Sequence, residues 1–266
     1  MFDPREIRGL ILDMDGVLWL DTQAIGDLPG IFAHIARRGL QVVLATNNAT
    51  RTIDQYVEKV ASFGVQLEPW QVVNSSQAAA GYLQQRYPQG GGVFVVGMPA
   101  LVETLAQAGF PHRETEVLAV VGSMDRTVSY EKLKTATLLI RAGAHFVATN
   151  TDRTFPTPEG LAPGAGALLA ALEAASDVTP VVCGKPSPRM YEMAMQRMRL
   201  NAGQVLVEGD RAETDIAGAQ ELGCPCALVL SGVTSPAQAQ AWRPAPEWIE
   251  ADLEAGVRRL GGEEGG

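Results

Sequence analysis

Short apolar runs alternate along the chain with longer stretches of helical periodicity. Leu10–Leu12, Val42–Ala45, Val93–Val96, Leu118–Val121, Phe146–Ala148, Val205–Val207 and Ala227–Leu230 read as buried strands. Each is short, most are rich in β-branched residues, and all are bounded by Gly, Asn or Asp. Between them lie amphipathic helices. Thr52 with Gln55 makes a capping box, and Val57, Val60 and Ala61 recur at helical spacing until Gly64. Tyr130–Ala142 stops at Gly143, Ser187-Pro188 opens a helix through Met198, and Glu213–Leu222 stops at Gly223. Ser235–Arg243 and Glu247–Leu260 read as closing helices around Pro244 and Pro246. Gly90-Gly91-Gly92 reads as a turn before a strand, and Gly261–Gly266 as a frayed tail. Strands alternating with helices of this length need crossover connections, so the expected fold is α/β, a mainly parallel, doubly wound sheet covered on both faces.

Ligands of such sheets bind beyond the carboxyl ends of the strands. Three strand ends carry compact polar groups there: Asp13-Met14-Asp15-Gly16, Thr46-Asn47-Asn48 and Glu208-Gly209-Asp210. Asp13 and Asp15, two apart at a strand end, project in similar directions and repel each other, a conflict that a divalent cation removes; plain solvated acids are the alternative. Counting from Asp13, position four is Gly16 and position twelve is Ala24, which rules out an EF-hand loop. Thr46 and Asn47, coming directly off a strand before a helix, suit a phosphate oxygen, whereas Thr50 and Thr52 suit helix capping. Lys185 lies in Gly184-Lys185-Pro186-Ser187-Pro188, and Asp215 follows Asp210 in the first turn of the next helix.

Composition removes several function classes. The chain has 266 residues, enough for one large or two small domains, with 46% hydrophobic and 19% charged residues. A net charge of −9 and a pI of about 4.9 argue against nucleic-acid or anionic-membrane partners. No run approaches the roughly 18 apolar residues of a membrane span, and MFDPREIRGL lacks a signal-peptide core, so a cytoplasmic protein is expected. Three cysteines, Cys183, Cys224 and Cys226, are too few for a disulfide scaffold. His34, His112 and His145 form no zinc spacing. Met190, Met193, Met195 and Met198 fit core packing, and Gly164-x-Gly166 is too little for a nucleotide loop. Glu114–Glu116 and Glu263–Glu264 read as solvated acids.

The ordered set DMDG, TNN, GKP and GDxxxTD, each in its strand-end context, resembles the haloacid dehalogenase superfamily of phosphohydrolases. Asp15 and Thr46 are 31 positions apart, which leaves no room for an inserted domain, whereas Thr46 and Lys185 are 139 apart. The strings LATNNAT at Leu44–Thr50, ATNTDRTFP at Ala148–Pro156, PGAGALLAAL at Pro163–Leu172 and GKPSP at Gly184–Pro188 resemble its class IIA subgroup, the NagD-like and p-nitrophenyl-phosphate phosphatases. The resemblance implies a Rossmann-like core at 1–79 and 180–266 with an inserted α/β cap at 80–179.

It also implies roles. Asp13 would be the nucleophile, forming an aspartyl-phosphate, and Asp15 the general acid and base. Thr46, Asn47, Asn48 and Lys185 would hold the phosphoryl group. Mg2+ would be bound by Asp13, the Asp15 carbonyl and Asp210, with Asp215 orienting its waters. Asn150, Asp152 and Phe155, on a cap loop, become candidate specificity residues, though Asn150 and Asp152 could equally only shape the loop. Phe155 stands near the place where pyridoxal-phosphate phosphatases carry a substrate-contacting histidine, which argues against pyridoxal phosphate. Glu208, where relatives usually carry an aliphatic residue, is expected to pair with Arg211 rather than to touch metal. The implied activity is hydrolysis of small phosphorylated metabolites, with a homodimer through the cap as the implied assembly. A phosphotransferase or mutase using the same chemistry and a non-catalytic phosphate sensor are the alternatives.

Overall fold

The computed structural model describes residues 2–157 and 159–262. The tail expected to fray lies outside the described residues from position 263 on, as do Glu263 and Glu264. The chain divides into two compact units, one made of Met1–Thr46, Ile53–Val73 and Pro188–Gly266, the other of Asn47–Thr52 and Asn74–Ser187. The sequence places its breaks at 79/80 and 179/180; by contact, residues 74–79 and 180–187 group with the second unit.

The first unit is built on a six-stranded sheet. Its spatial order is Trp248–Glu250, Cys226–Val229, Val205–Gly209, Gly9–Leu12, Gln41–Thr46, Val72–Asn74. Gly9–Leu12 is central and runs parallel to both neighbours, Gly9 facing Val205 on one side and Gln41 on the other. All four of its residues are buried, as a strand covered on both faces requires. Side chains alternate between the faces. Leu10 and Leu12 join the cluster of Leu28, Ile31 and Ile35 from helix Leu28–Arg37 and Leu253, Val257 and Leu260 from helix Leu253–Leu260. On the other face, Gly9 abuts Met198 and Leu200, at the end of helix Arg189–Met198, which buries Met190, Tyr191, Ala194 and Met198. Met190 and Met198 are thus core packing, as their spacing predicts, while Met193 and Met195 are half-buried.

Strand numbering decides where a ligand goes. From Gly9–Leu12 the chain winds outward through Gln41–Thr46 to Val72–Asn74, and from Val205–Gly209 it winds the other way to Trp248–Glu250. The direction reverses between Gly9–Leu12 and Val205–Gly209. Such a switch point leaves a crevice beyond the strand ends that no crossover covers. Asp13 and Asp210 are the residues that leave those two strands.

The second unit holds a four-stranded parallel sheet in the order Val181–Val182, His145–Ala148, Val117–Gly122, Gly92–Val96. Phe94, Val96, Val120, Phe146 and Ala148 pack on Ala136 and Ile140 of helix Tyr130–Arg141 and on Leu169 and Leu172 of helix Ala165–Ser176. A hairpin, Thr154–Thr157 with Gly160–Pro163, precedes the latter helix. Gly90 and Gly91 make the expected turn before Gly92.

One expected helix is corrected. Glu247–Leu260 opens as the edge strand Trp248–Glu250, parallel to Cys226–Val229, before the helix begins at Leu253 with Asp252 capping Ala255. Ile249, Leu253, Val257 and Leu260 fall at helical spacing, but the backbone of 248–250 completes its hydrogen bonds on a strand distant in sequence. Glu213–Leu222 is also modified: Ala212–Ile216 is a wide π turn and only Ala217–Glu221 is α-helical.

Candidate active site

At the switch point, carboxylate oxygens of Asp13, Asp210 and Asp215 all lie within 4.8 Å of one another. Asp210 and Asp215 are buried. Three anions so close repel strongly, and the arrangement suits a hard divalent cation with oxygen ligands. Backbone groups fix the set. The Asp13 N–H donates to the Glu208 carbonyl at 2.9 Å, tying the two strand ends together. The π turn lets Asp215 accept the Arg211 N–H on Oδ2 at 3.0 Å, and the Tyr191 hydroxyl donates to the Thr214 and Asp215 carbonyls.

A loop not singled out in the sequence completes this aspartate group. Ser231–Thr234 follows strand Cys226–Val229. The Val233 N–H donates to Asp210 Oδ2 at 2.7 Å, and the Thr234 N–H to the Asp210 carbonyl at 3.1 Å. The Ser231 hydroxyl donates to the Gly16 carbonyl at 2.7 Å. Gly16 has φ +92°, and a Cβ there would sit 2.5 Å from Asp210 Oδ2; a side chain at Gly232 would collide with the same carboxylate. The glycines are what let two loops close on one aspartate. The signal was available: Ser231-Gly232 is a fourth polar strand end on the same edge.

Asp15 stands apart from the three carboxylates. It is exposed, and its Oδ1 accepts the Trp19 indole N–H at 2.8 Å. Thr46 ends strand Gln41–Thr46 and is buried.

The second unit carries the other expected residues. Asn47 and Lys185 are buried and clasp each other: the Asn47 side-chain amide donates to the Lys185 carbonyl at 3.0 Å, and the Lys185 N–H donates to Asn47 Oδ1 at 2.7 Å. Ser75 Oγ and Asn150 Nδ2 both donate to the Asn47 carbonyl, at 2.6 and 2.8 Å. Asn150 Oδ1 also accepts the Asp152 N–H. Asn48 Oδ1 accepts from the Thr50 N–H and hydroxyl, closing a turn. The side chains of Asn47, Asn48 and Asn150 therefore bond within the protein, those of Asn47 and Asn150 shaping the backbone around Lys185. Ser75 and Thr149, buried and unremarked in the sequence, belong to this network, the Thr149 carbonyl accepting the Gly184 N–H at 2.7 Å. Phe155 is half-buried, with the Arg126 guanidinium 5.6 Å from its ring centroid.

The expected Glu208–Arg211 pair is not formed. Glu208 is fully buried, and both its carboxylate oxygens lack a hydrogen-bond partner among the described residues. Its register partner on the central strand is Leu12, so its side chain enters the Leu10–Leu12 face of the sheet and lies against Gly256. Burial, with Glu250 and Asp252 adding to it, pushes this carboxyl up to about 8 from an ordinary 4.5. Folding between those values must take up a proton, so stability falls as pH rises through that window and levels off above it. Glu208→Gln is therefore expected to raise the Tm more at pH 8 than at pH 5; thermal melts at the two pH values check it, and equal shifts would deny the buried proton.

Known proteins place this geometry. Residues 10–111 match the model of the haloacid dehalogenase-like hydrolases, and residues 182–255 match a second model of HAD-like hydrolases. An acid sugar phosphatase of Staphylococcus aureus is 31% identical over 257 residues, 96% of this chain and 99% of that protein. The chain belongs to the haloacid dehalogenase-like hydrolase family. Among solved structures, a 4-nitrophenylphosphatase of Thermotoga maritima matches with a TM-score of 0.91 at 28% identity, over 97% of this chain and 98% of that one. A glycerol phosphate phosphatase of Mycobacterium tuberculosis, solved with magnesium, matches at 0.87 and 35% identity, over 96% of this chain and 78% of that one. It has also been solved with calcium. In this haloacid dehalogenase-like hydrolase the buried aspartates are the residues that fit such a divalent ion.

Proposed function

We propose that this chain is a magnesium-dependent phosphatase of small phosphate monoesters that works through an aspartyl-phosphate. The observation that carries the reading is the group Asp13, Asp210 and Asp215 at the switch point of the sheet. Asp13, Asp210 and the Asp15 carbonyl would hold Mg2+, with Asp215 beside them. When bound, the ion supplies positive charge to the phosphoryl oxygens and to the crowded carboxylates.

The chain's own residues do the rest. Asp13 attacks phosphorus and splits hydrolysis into two steps. Asp15 protonates the leaving oxygen, then takes a proton from the attacking water. Lys185 neutralises charge on Asp13 and the phosphoryl group, and Thr46 with the backbone of Asn47 and Asn48 holds phosphoryl oxygens. Support for these last roles is the clasp of Asn47 on the Lys185 backbone, which fixes one relative to the other. Phosphoryl transfer asks chiefly for such positioning and charge neutralisation. The named relatives support sugar, glycerol and nitrophenyl phosphates as the substrate class.

We further propose a cap at 80–179 that selects the ester through Phe155 and the Asn150–Asp152 loop, and a homodimer through that cap. Tyr130 and Leu138, 77% and 59% exposed on one helix, support the second idea. A reducing cytoplasm fits three buried free cysteines, and the net charge of −9 favours no nucleic-acid or membrane partner. Among the described residues no helix is long and apolar enough to cross a membrane.

The test is phosphate release from a panel of small esters with magnesium and with chelator. Magnesium-dependent release is expected, and Phe155→Ala should reorder the alkyl esters by about tenfold while p-nitrophenyl phosphate changes little. Parallel losses on every ester would make Phe155 structural. No release without an added acceptor alcohol would replace hydrolysis by transfer.

A further inference from the structure

We propose that Trp19 is a positioning residue for the general acid Asp15. The inference rests on the phosphatase reading above. Asp15 is exposed, and an exposed carboxyl in water samples several rotamers. Here its Oδ1 is held by the Trp19 indole N–H at 2.8 Å. The donor is rigid. Trp19 has 0% exposure and lies nearly parallel to Phe63, with centroids 5.7 Å apart and planes at 23°. The Lys59 ammonium stands 4.0 Å from the indole centroid and is itself tied to the Asp21 carbonyl at 3.0 Å. The backbone closes the same loop: the Gly16 N–H donates to the Trp19 carbonyl at 2.8 Å, and Asp15 and Trp19 pair as a bridge. A solvent-facing acid is thus bonded to a donor that packing does not allow to move.

The consequence is chemical. With Oδ1 occupied by an N–H, Oδ2 is the oxygen that carries the acid proton. Asp13 forms its bond to phosphorus while the ester P–O bond breaks. The electron pair of that bond goes to the ester oxygen, which takes the proton from Asp15 Oδ2. The Asp15 carboxylate left behind keeps the Trp19 hydrogen bond, which is stronger to the charged acceptor. Water then attacks the aspartyl-phosphate, Asp15 takes the water's proton, and the Asp13 carboxylate is released. Trp19 acts through Asp15 in both steps without touching substrate.

Leaving groups separate this role from a merely structural one. An alkoxide needs a proton as it departs, and p-nitrophenolate departs as the anion. The value kcat/KM reports only the first transfer. Trp19→Phe keeps a ring and removes the N–H. Its kcat/KM is expected to fall about tenfold on glycerol 3-phosphate, a fraction of what a general acid contributes. On p-nitrophenyl phosphate the fall should be no more than about twofold. If Trp19→Phe does not fold, Lys59→Met decides: it removes the cation that polarises the indole, and should shift the same ratio in the same direction by about twofold. Equal losses on the two esters, or no loss, in a variant with the wild-type Tm would overturn the proposal while leaving the phosphatase reading standing. Wild-type protein that turns over neither ester would bring down that reading, and this inference with it.

Discussion

Asp13→Asn is expected to abolish phosphate release, by about four orders of magnitude or more, in protein that folds normally. The amide is nearly isosteric but carries no charge and is a very poor nucleophile toward phosphorus. Its effect on stability should have the opposite sign. Asp13 sits in a group whose carboxylate oxygens lie within 4.8 Å of one another, so removing one charge relieves repulsion in the metal-free protein. The Tm in chelator should therefore hold or rise, while the extra stability conferred by Mg2+ shrinks. Rate and melting measured on one preparation give both signs. A wild-type rate would place the nucleophile elsewhere, and a collapsed Tm in chelator would mean that Asp13 is held by contacts rather than strained by charge.

Asp210→Asn should act on the metal first. Asp210 emerges from the strand next to that of Asp13, and its carboxylate is gripped by the Val233 N–H and hemmed in by Gly16 and Gly232. The substitution is nearly isosteric, so it alters charge with little change in shape. The Mg2+ concentration for half-maximal activity should rise at least about tenfold, and so should the Mg2+ Kd measured calorimetrically without substrate. Losing activity at every Mg2+ concentration with an unchanged Kd would take Asp210 off the ligand set.

The parts of the molecule legible in sequence are those whose cause is local. Buried strands such as Val93–Val96 and Val205–Val207 show as apolar runs because both faces are covered. The polar strand ends show because Asp13, Thr46 and Asp210 interrupt such runs abruptly. What stayed hidden depends on distant partners. Trp248–Glu250 is a strand only because Cys226–Val229 offers it an edge; its own residues fit a helix as well. Val72–Asn74 and Val181–Val182 are too short to show a period. The side chain of Glu208 follows its register with Leu12, which no spacing within its own strand reveals. The Asn47–Lys185 clasp joins residues 138 positions apart, and only the folded backbone brings an amide to a loop carbonyl.

The central strand, Gly9–Leu12, is made well before its neighbour Val205–Gly209, which follows 196 residues later. At about 5–20 residues per second, the ribosome needs roughly 10–40 s to supply it. Until then Gly9–Leu12 has one of its two native neighbours, Gln41–Thr46, available in sequence and lacks the other. Every strand of the second sheet, from Gly92 to Val182, is synthesised inside the same interval. The carboxylate group that would hold the metal draws Asp13 from before that interval and Asp210 and Asp215 from just after it, so a chain interrupted within it carries Asp13 without either partner.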